Sequence, residues 1–220
     1  MKTQLIFFIA ALGLACNPVA GQDLHWGQLQ KDQQHFISAK FGADYATILG
    51  IAYGYRLAKT EPAFISAEFS APFGTNILDD WKFRLAYQRR VWQGGDLALS
   101  LKPGMIVRTY ASNIAKILNV GLELNTSLGY YRPKWFLAAE AGVDHTLASK
   151  LKQGSLKENY PGIYEGWIGS TGGNFKFGAN VGHSLGKQLV SLRLGKVYAR
   201  NFQDNPTLPF YFELALLRMN

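Results

Sequence analysis

Apolar residues alternate with small or polar residues along most of the chain, and residues 117–130 show this pattern most clearly. A period of two is typical of a β-strand whose two faces meet different surroundings. One face carries Leu118, Val120, Leu122, Leu124, Thr126, Leu128 and Tyr130, and the other carries Asn119, Gly121, Glu123, Asn125, Ser127 and Gly129.

Ten segments share this alternation, and they predict ten β-strands. The segments are 35–45, 47–57, 63–71, 81–92, 97–110, 117–130, 134–147, 174–184, 188–199 and 208–218. Most reach the roughly 9–11 residues that a tilted membrane strand needs, and exceed the usual soluble strand of about 5–6 residues. The predicted fold is therefore all-β: a single antiparallel up-and-down transmembrane β-barrel of about ten strands, with eight strands as the fallback.

The predicted connections differ in length on the two sides of this barrel. If the chain starts in the periplasm, the periplasmic turns are 58–62, 93–96, 131–133 and 185–187. The outer connections are then residue 46 and the segments 72–80, 111–116, 148–173 and 200–207. Short periplasmic turns and longer outer loops are typical of bacterial outer-membrane barrels.

Alternation alone also fits a soluble β-sandwich or a lipocalin-like barrel. Two features favour the membrane barrel. Glycine weakens a solvent-facing strand but suits a cramped lumen, and the polar face carries Gly42, Gly50, Gly54, Gly104, Gly121, Gly129, Gly142, Gly178 and Gly182. Aromatic residues suit a membrane boundary, and the strand ends carry Tyr53, Tyr55, Trp81, Tyr130, Trp135, Phe175, Phe177, Phe210 and Phe212. A soluble periplasmic β-barrel that binds an apolar ligand stays open as an alternative.

The first residues have the composition of an export signal. Lys2 precedes an apolar run from Leu5 to Ala15, and small residues follow at 19–21. The run has 11 residues, too few for a membrane-spanning helix, which needs roughly 20. We expect cleavage after residue 21, a periplasmic N-terminal segment at 22–34 and an outer-membrane barrel at 35–220. The single cysteine, Cys16, would leave with the signal.

Charge narrows the range of partners. The formal net charge is +8, but charged residues make up only 17% of the chain and are spread along the strands. A nucleic-acid-binding patch would need clustered basic residues, so we expect no nucleic-acid partner. Outer-membrane lipid is the partner that the barrel prediction implies.

Four short stretches resemble a known group of proteins. They are GYYRPKW at 129–135, YPG at 160–162, GW at 166–167 and TGGN at 171–174. With the strand pattern, they give the chain a resemblance to the small outer-membrane β-barrel proteins of Bacteroidota-type bacteria. The resemblance implies an outer-membrane location and a barrel fold, and no particular reaction.

The polar face of the predicted strands carries more basic than acidic residues. The basic residues are Lys40, Arg56, Lys82, Arg84, Arg90, Lys102, Arg108, Lys176 and Arg193, and the acidic ones are Asp44, Glu68, Glu123, Glu140, Asp144 and Glu213. Because an unpaired charge in a tight interior is costly, we expect pairing across strands that mostly fills the lumen. The excess of three positive charges predicts, in addition, a narrow channel or binding site that favours a small anionic solute. Its candidate residues are Lys82, Arg84, Arg90, Lys102 and Arg108, neutralised by Glu68, Glu123 or Glu140.

Catalysis is a weaker hypothesis. Hydrolytic barrels need a base near a serine or an acid, and His145 is the histidine nearest the predicted outer rim. Asp144 is adjacent in a strand and should point away from it, whereas Ser149 could lie nearby. We therefore expect a structural or channel protein without catalytic residues, metal or cofactor, and keep a rim-active lipid hydrolase using His145 as the alternative.

Overall fold

The computed structural model describes residues 24–27, 33–57, 63–73, 79–155, 157, 160–199 and 208–220. The predicted signal peptide, with Cys16, and the predicted turn at 58–62 lie outside these residues. The strands are β1 (His35–Ala43), β2 (Thr47–Arg56), β3 (Ala63–Pro72), β4 (Lys82–Gly94), β5 (Leu97–Ala111), β6 (Ala115–Tyr131), β7 (Trp135–Gln153), β8 (Gly166–Ile168), β9 (Gly172–Leu185), β10 (Gln188–Ala199) and β11 (Phe210–Met219).

Ten of these strands form a closed antiparallel barrel. Each pairs with its neighbours in chain order, and β7 passes directly to β9. The first and last strands close the ring, with Phe36 opposite Met219. The predicted ten-stranded barrel is confirmed, and the short β8 pairs only with the far end of β7, outside the ring.

The seventh strand is longer than the alternation predicts. A register shift places Thr146 opposite Gly121 but Ala148 opposite Val120, so Leu147 is an extra residue on β7. Such a bulge inverts the alternation of the residues that follow it. The strand therefore continues to Gln153, through the first part of the segment predicted as the loop 148–173, and β8 occupies another part of it.

The two ends of the barrel differ. The terminal end, where β1 begins and β11 ends, has short turns whose glycines Gly95 (φ 61°) and Gly186 (φ 65°) adopt the left-handed conformation that favours glycine. The opposite, loop end carries the connection 44–46 and the long segment between β7 and β9.

The inward and outward faces follow the predicted alternation. Gly121, Glu123 and Ser127 of β6 are buried, whereas Leu122 and Leu124 are exposed on the outside. Exposed large apolar side chains occur on all ten barrel strands, among them Phe41, Ile51, Ile65, Leu85, Met105, Leu122, Leu137, Val181, Leu194 and Leu214.

The terminal end of the lumen is filled by apolar side chains, which we call the terminal layer: Leu24, Trp26, Phe36, Phe64, Tyr131, Phe136, Leu189, Leu217 and Met219 with three alanines. Phe64 and Phe136 are fully buried, and Trp26 is 3% exposed. Residues 24–27, predicted to lie outside the barrel, thus pack into its mouth, where the Trp26 ring centroid is 6.5 Å from that of Phe64. Glycine is required opposite two of these rings: a Cβ on Gly54 would lie 2.0 Å from Phe36, and one on Gly182 would lie 2.2 Å from Phe136.

Candidate functional site

The lumen beyond the terminal layer is lined by charged side chains, which we call the charged layer. Among the described residues it holds seven cations and seven carboxylates. The cations are Lys40, Lys82, Arg84, Lys102, Arg108, Lys176 and Arg193, and the carboxylates are Asp44, Glu68, Asp80, Glu123, Glu140, Asp144 and Glu213. Strand alternation explains their position, because each strand residue of the set lies in the inward phase of its strand.

Arg84 on β4 contacts three carboxylates from different parts of the ring. Its guanidinium nitrogens lie 2.6 Å from Glu68 on β3, 2.8 Å from Asp44 and 3.5 Å from Glu123 on β6. All four side chains are buried. A guanidinium presents its donors in a rigid fork, so one arginine can hold several acceptors in fixed positions.

A second set of contacts continues from β3 around the closure of the barrel. Lys40 Nζ on β1 lies 2.8 Å from Glu68 and 2.6 Å from Glu213 on β11. Arg193 on β10 then lies 2.8 Å from both Glu213 and Glu140 of β7. Together with the Arg84 contacts, these ion pairs connect strands on all sides of the lumen.

The turn 44–46 between β1 and β2 folds into the lumen and completes the layer. Asp44 lies 2.6 Å from Lys82 Nζ and 3.4 Å from Lys176 Nζ, in addition to its contact with Arg84. Lys176 also lies 3.6 Å from Asp144 of β7. A single carboxylate in a turn thus contacts cations from β4 and β9.

Tyr45 in the same turn lies against two cations. Its ring centroid is 4.2 Å from Lys82 Nζ and 4.3 Å from the guanidinium carbon of Arg108. Its hydroxyl donates to the Ser70 carbonyl at 3.0 Å. Burial raises the pKa of Tyr45 to about 12, so the ring stays neutral and offers a negative face to both cations.

Sequence reasoning missed Asp80, the partner of Arg108. The two side chains form a bidentate pair at 2.8 and 2.9 Å. Asp80 falls within the segment predicted as the outer loop 72–80, outside any alternating strand. Asp80 comes close to Arg108 because residues 79–81 lie against β5. The Thr109 N–H on β5 donates to the Trp81 carbonyl at 3.0 Å.

The structure brings together most of the predicted site residues. Lys82, Arg84, Glu68 and Glu123 share the contacts described above, and Lys102 lines the same cavity. Glu140 pairs with Arg193 and lines the same cavity.

Arg90 lies apart from the other predicted site residues. It borders a separate cavity of about 150 Å³ at the terminal end, together with Trp26, Asp96 and Tyr131. Since Arg56 also ends β2 at the terminal end and Asp80 adds an acid, the predicted excess of positive charge is not present in the charged layer as described.

Little space remains within the charged layer. The cavity there has a volume of about 40 Å³ and is lined by Asp44, Arg84, Lys102, Glu123, Glu140, Lys176, Arg193, Tyr211 and Glu213, among others. This space holds no more than a few water molecules. A solute would have to separate the ion pairs in order to pass.

His145 and Ser149 point to different sides of the barrel wall. Ser149 is buried and its hydroxyl lies 2.7 Å from Asn119 Oδ1 and 2.8 Å from Thr171 Oγ1. The serine that contacts His145 is Ser170, whose Oγ lies 3.2 Å from His145 Nε2 at an exposed position just before β9. The choice of Ser149 as the neighbour was wrong because the bulge at Leu147 reverses the side to which Ser149 points. Asp144 contacts Asn174 and Lys176 inside the lumen, in agreement with its predicted direction.

The described residues contain no group of three or more His, Cys, Asp or Glu side chains placed to hold a metal ion. Within the same residues, no helix is long and apolar enough to cross a membrane.

Comparisons with known proteins give similarities at the level of structure only. No family model and no curated protein sequence matches the chain. The N-terminal β-barrel domain of Pseudomonas aeruginosa OprF is 11% identical over 86% of this chain and 98% of its own, with a TM-score of 0.41. The outer-membrane protease OmpT from Escherichia coli is 10% identical over 86% and 94%, with a TM-score of 0.49. An outer-membrane channel from Pseudomonas putida F1 is 12% identical over 91% and 100%, also with a TM-score of 0.49. The fold follows from the strand pairing of this chain.

Proposed function

We propose that the chain is an outer-membrane β-barrel with a closed lumen, and that it serves as a structural membrane protein rather than as a channel. The observation that carries this proposal is the set of ion pairs across the charged layer, in which Arg84 alone joins carboxylates from three parts of the ring. The terminal layer adds a second barrier, because Trp26 and Phe64 fill the mouth of the barrel.

The outer surface supports a membrane location. Soluble monomers rarely expose a continuous apolar patch, yet every barrel strand here exposes large apolar side chains. From Leu118 to Leu128 the outward residues of β6 span a length of about 33 Å at roughly 3.3 Å per residue. With a tilt of about 40°, this gives an apolar band of about 25 Å, the height typical of outer-membrane barrels. Membrane lipid is therefore the proposed partner of the outer face.

The length of the connections supports an orientation. The terminal end carries two-residue turns such as the one at Gly95, and the loop end carries the long segment between β7 and β9. Outer-membrane barrels place short turns in the periplasm and long loops outside the cell. We therefore place the terminal end in the periplasm, which agrees with the predicted export signal.

Conductance tests the closed lumen. Purified barrel in planar bilayers should give no steady current, because the charged layer leaves a cavity of only about 40 Å³. The equal numbers of cations and carboxylates give no reason for anion selectivity, in contrast to the prediction from sequence. Large, steady currents from the wild-type protein would refute the closed lumen.

A substitution on the outer face tests the membrane location. Leu122 lies on β6 within the proposed apolar band, and arginine there should cost about 2–4 kcal/mol of folding free energy in lipid vesicles. Ile114 is similarly exposed but lies in the loop between β5 and β6, so Ile114→Arg is the matched control and should cost about 0–1 kcal/mol. Equal effects at the two positions would contradict the location.

One contact favours a second candidate function, a lipid esterase at the rim. The Ser170 hydroxyl and His145 Nε2 form a hydrogen-bonded pair on the outside of the barrel, where β9 begins. In such a pair the serine oxygen attacks the ester carbonyl carbon while the histidine takes its proton and passes it to the leaving alcohol. Water, deprotonated by the same histidine, then releases the acid from the acyl-serine.

Fatty-acid release from phospholipid vesicles separates the two candidates. An esterase would lose activity on Ser170→Ala and on His145→Ala, and would keep it on Ser149→Ala, which alters a serine with other partners. Absence of release by the wild-type protein would eliminate this second candidate and leave the structural role in place.

A further inference from the structure

On one side of the barrel, the described part of the wall extends beyond the ring at the loop end. The end of β5, the start of β6, the end of β7 and β8 form this sheet, which we call the loop-end extension: residues 109–119, 148–153 and 166–168. Lys116 lies opposite Lys152, and Lys150 lies opposite both Leu118 and Trp167. Residues opposite each other in a sheet share a face, so the three lysines and Trp167 lie on one surface.

This surface is the outer face of the barrel wall. On β6, Lys116 has the same phase as Leu118 and the exposed Leu122. On β7, the bulge at Leu147 brings Lys150 and Lys152 into the outward phase. Lys116, Lys150, Lys152 and Trp167 are all exposed. We call these four residues the basic face.

Like charges are concentrated on the basic face, and among the described residues no carboxylate forms an ion pair with its lysines. Lys116 and Lys152 form no ion pair with any described residue, and Lys150 Nζ lies 5.9 Å from the centroid of the Trp167 ring. Glu165, which directly precedes β8, binds Lys157 and accepts a hydrogen bond from the Gln153 N–H at 2.8 Å, and it interacts with Lys152 at longer range. Like charges directly opposite in a sheet repel and destabilise it. An anion bound between Lys116 and Lys152 would offset this repulsion.

The position of the basic face relative to the apolar band indicates which anion is available to it. Lys116 is the next outward residue after Leu118, at the edge of the apolar band of about 25 Å argued above. The phosphate groups of lipid lie at this boundary, where an indole ring is also favoured. The Trp167 carbonyl accepts a hydrogen bond from the Tyr164 hydroxyl at 2.8 Å, which holds the segment that carries this indole.

We infer that the basic face binds the phosphate group of an anionic lipid in the outer leaflet, with Lys116, Lys150 and Lys152 as the ligands and Trp167 beside the acyl chain. The inference rests on the proposed membrane location and orientation. It gives the closed barrel a specific lipid partner at one side of its circumference.

Lipid retention measured by native mass spectrometry tests the site. Barrel released from micelles that contain equal amounts of phosphatidylglycerol and phosphatidylcholine should retain phosphatidylglycerol preferentially. The variant Lys116→Gln/Lys150→Gln/Lys152→Gln should lose this preference, by about fivefold for each lysine, the effect of a basic side chain close to an anionic surface. Arginine at the same three positions should preserve it, because the charge is kept.

A control variant changes two exposed lysines at the opposite end, one charge fewer than the triple variant. Lys134→Gln/Lys187→Gln removes charge from the terminal end and should leave the preference unchanged. If the two glutamine variants lose the preference equally, binding follows net charge and the site is refuted. If inorganic phosphate binds the lysines as tightly as the lipid does, the face is a site for free phosphate, and the lipid inference fails.

The failure of this inference can be distinguished from the failure of the proposed function. Heat-modifiable migration of the glutamine variant would show that the barrel still forms. The Leu122→Arg and Ile114→Arg comparison tests the membrane location without any of these lysines. A barrel that passes both tests and retains both lipids equally would overturn the lipid site alone.

Discussion

The terminal layer and the charged layer fill the same lumen in opposite ways. Both are built from inward residues of the same strands. Phe36 and Lys40 both point inward from β1, and Phe136 and Glu140 both point inward from β7. The terminal layer closes with packed aromatic rings, and the charged layer closes with ion pairs at 2.6–3.6 Å. A barrel of this width can therefore be filled with either chemistry.

The difference between the layers lies in what a single change leaves behind. Truncating an apolar side chain leaves a cavity, whose cost depends on how far the neighbours relax. Truncating one member of a buried ion pair leaves a charge without compensation in a medium that solvates it poorly. The stability of the charged layer therefore depends on every buried charge keeping its partner. The stability of the terminal layer depends on how completely its side chains fill the space.

The largest effect is expected where a carboxylate serves two buried cations. Glu68→Ala leaves Lys40 and Arg84 each without a contact of 2.6–2.8 Å, and should destabilise the barrel by about 3–5 kcal/mol. Glu123→Ala removes the longer contact of 3.5 Å to Arg84 and should cost less. Urea unfolding in lipid vesicles measures both variants. Equal, small effects would show that the charges are hydrated rather than buried.

An intermediate effect is expected in the terminal layer. Trp26→Ala removes the buried indole against Phe64 and should cost about 1.5–3 kcal/mol, the value of burying one large apolar side chain. Trp92→Ala provides the control, because Trp92 is half exposed at the same end of the barrel. If both variants are equally stable, residues 24–27 add nothing to the layer.

A smaller effect follows from the histidine beside Trp26. Burial lowers the pKa of His25, so the docked segment binds a proton less readily than the free segment. The stabilisation by docking is therefore present above about pH 6.5, the ordinary pKa of histidine, and is lost as the pH falls below it. Proteolysis of this segment in the assembled barrel should accelerate on acidification, and His25→Phe should remove the pH dependence. An unchanged rate between pH 7 and pH 5 would contradict this.

The smallest effect is expected at Ser191, which lies in the lumen wall on β10. Its hydroxyl is buried and has no hydrogen-bond partner among the described residues. Ser191→Ala removes this polar atom with little change in volume, so stability should stay the same or rise by up to about 1 kcal/mol. A clear loss of stability in the same unfolding assay would reveal a partner for the hydroxyl.

Sequence reasoning found the barrel because the period of two persists through most of each barrel strand. It placed the end of β7 too early, because the extra residue Leu147 inverts the alternation and so imitates the end of a strand. It also missed the terminal layer, although Phe36, Phe136 and Leu217 share the phase of the polar face. Apolar residues at these positions of an otherwise polar face were the feature of the sequence that could have predicted this layer.

The candidate site was predictable as a set but not as pairs. Alternation predicted that Arg84, Glu68 and Glu123 share one lumen, because it is enough to know that each lies on the inward face of its strand. The partner of Arg108 could not be found in this way, because Asp80 belongs to a segment without a strand period. Which carboxylate faces which cation depends on strand register and tilt, and these follow from the closed ring as a whole.

The pairing of β1 with β11 has a consequence for how the molecule assembles. The ring closes between the two ends of the chain, so this contact requires the longest loop closure in the molecule. Until the last strand arrives, every partial sheet carries two unpaired edges and the cations of the charged layer lack Glu213. Closure thus pairs the backbone groups of both open edges and brings Glu213 to its cations in the same step. We therefore expect slow folding with few stable intermediates.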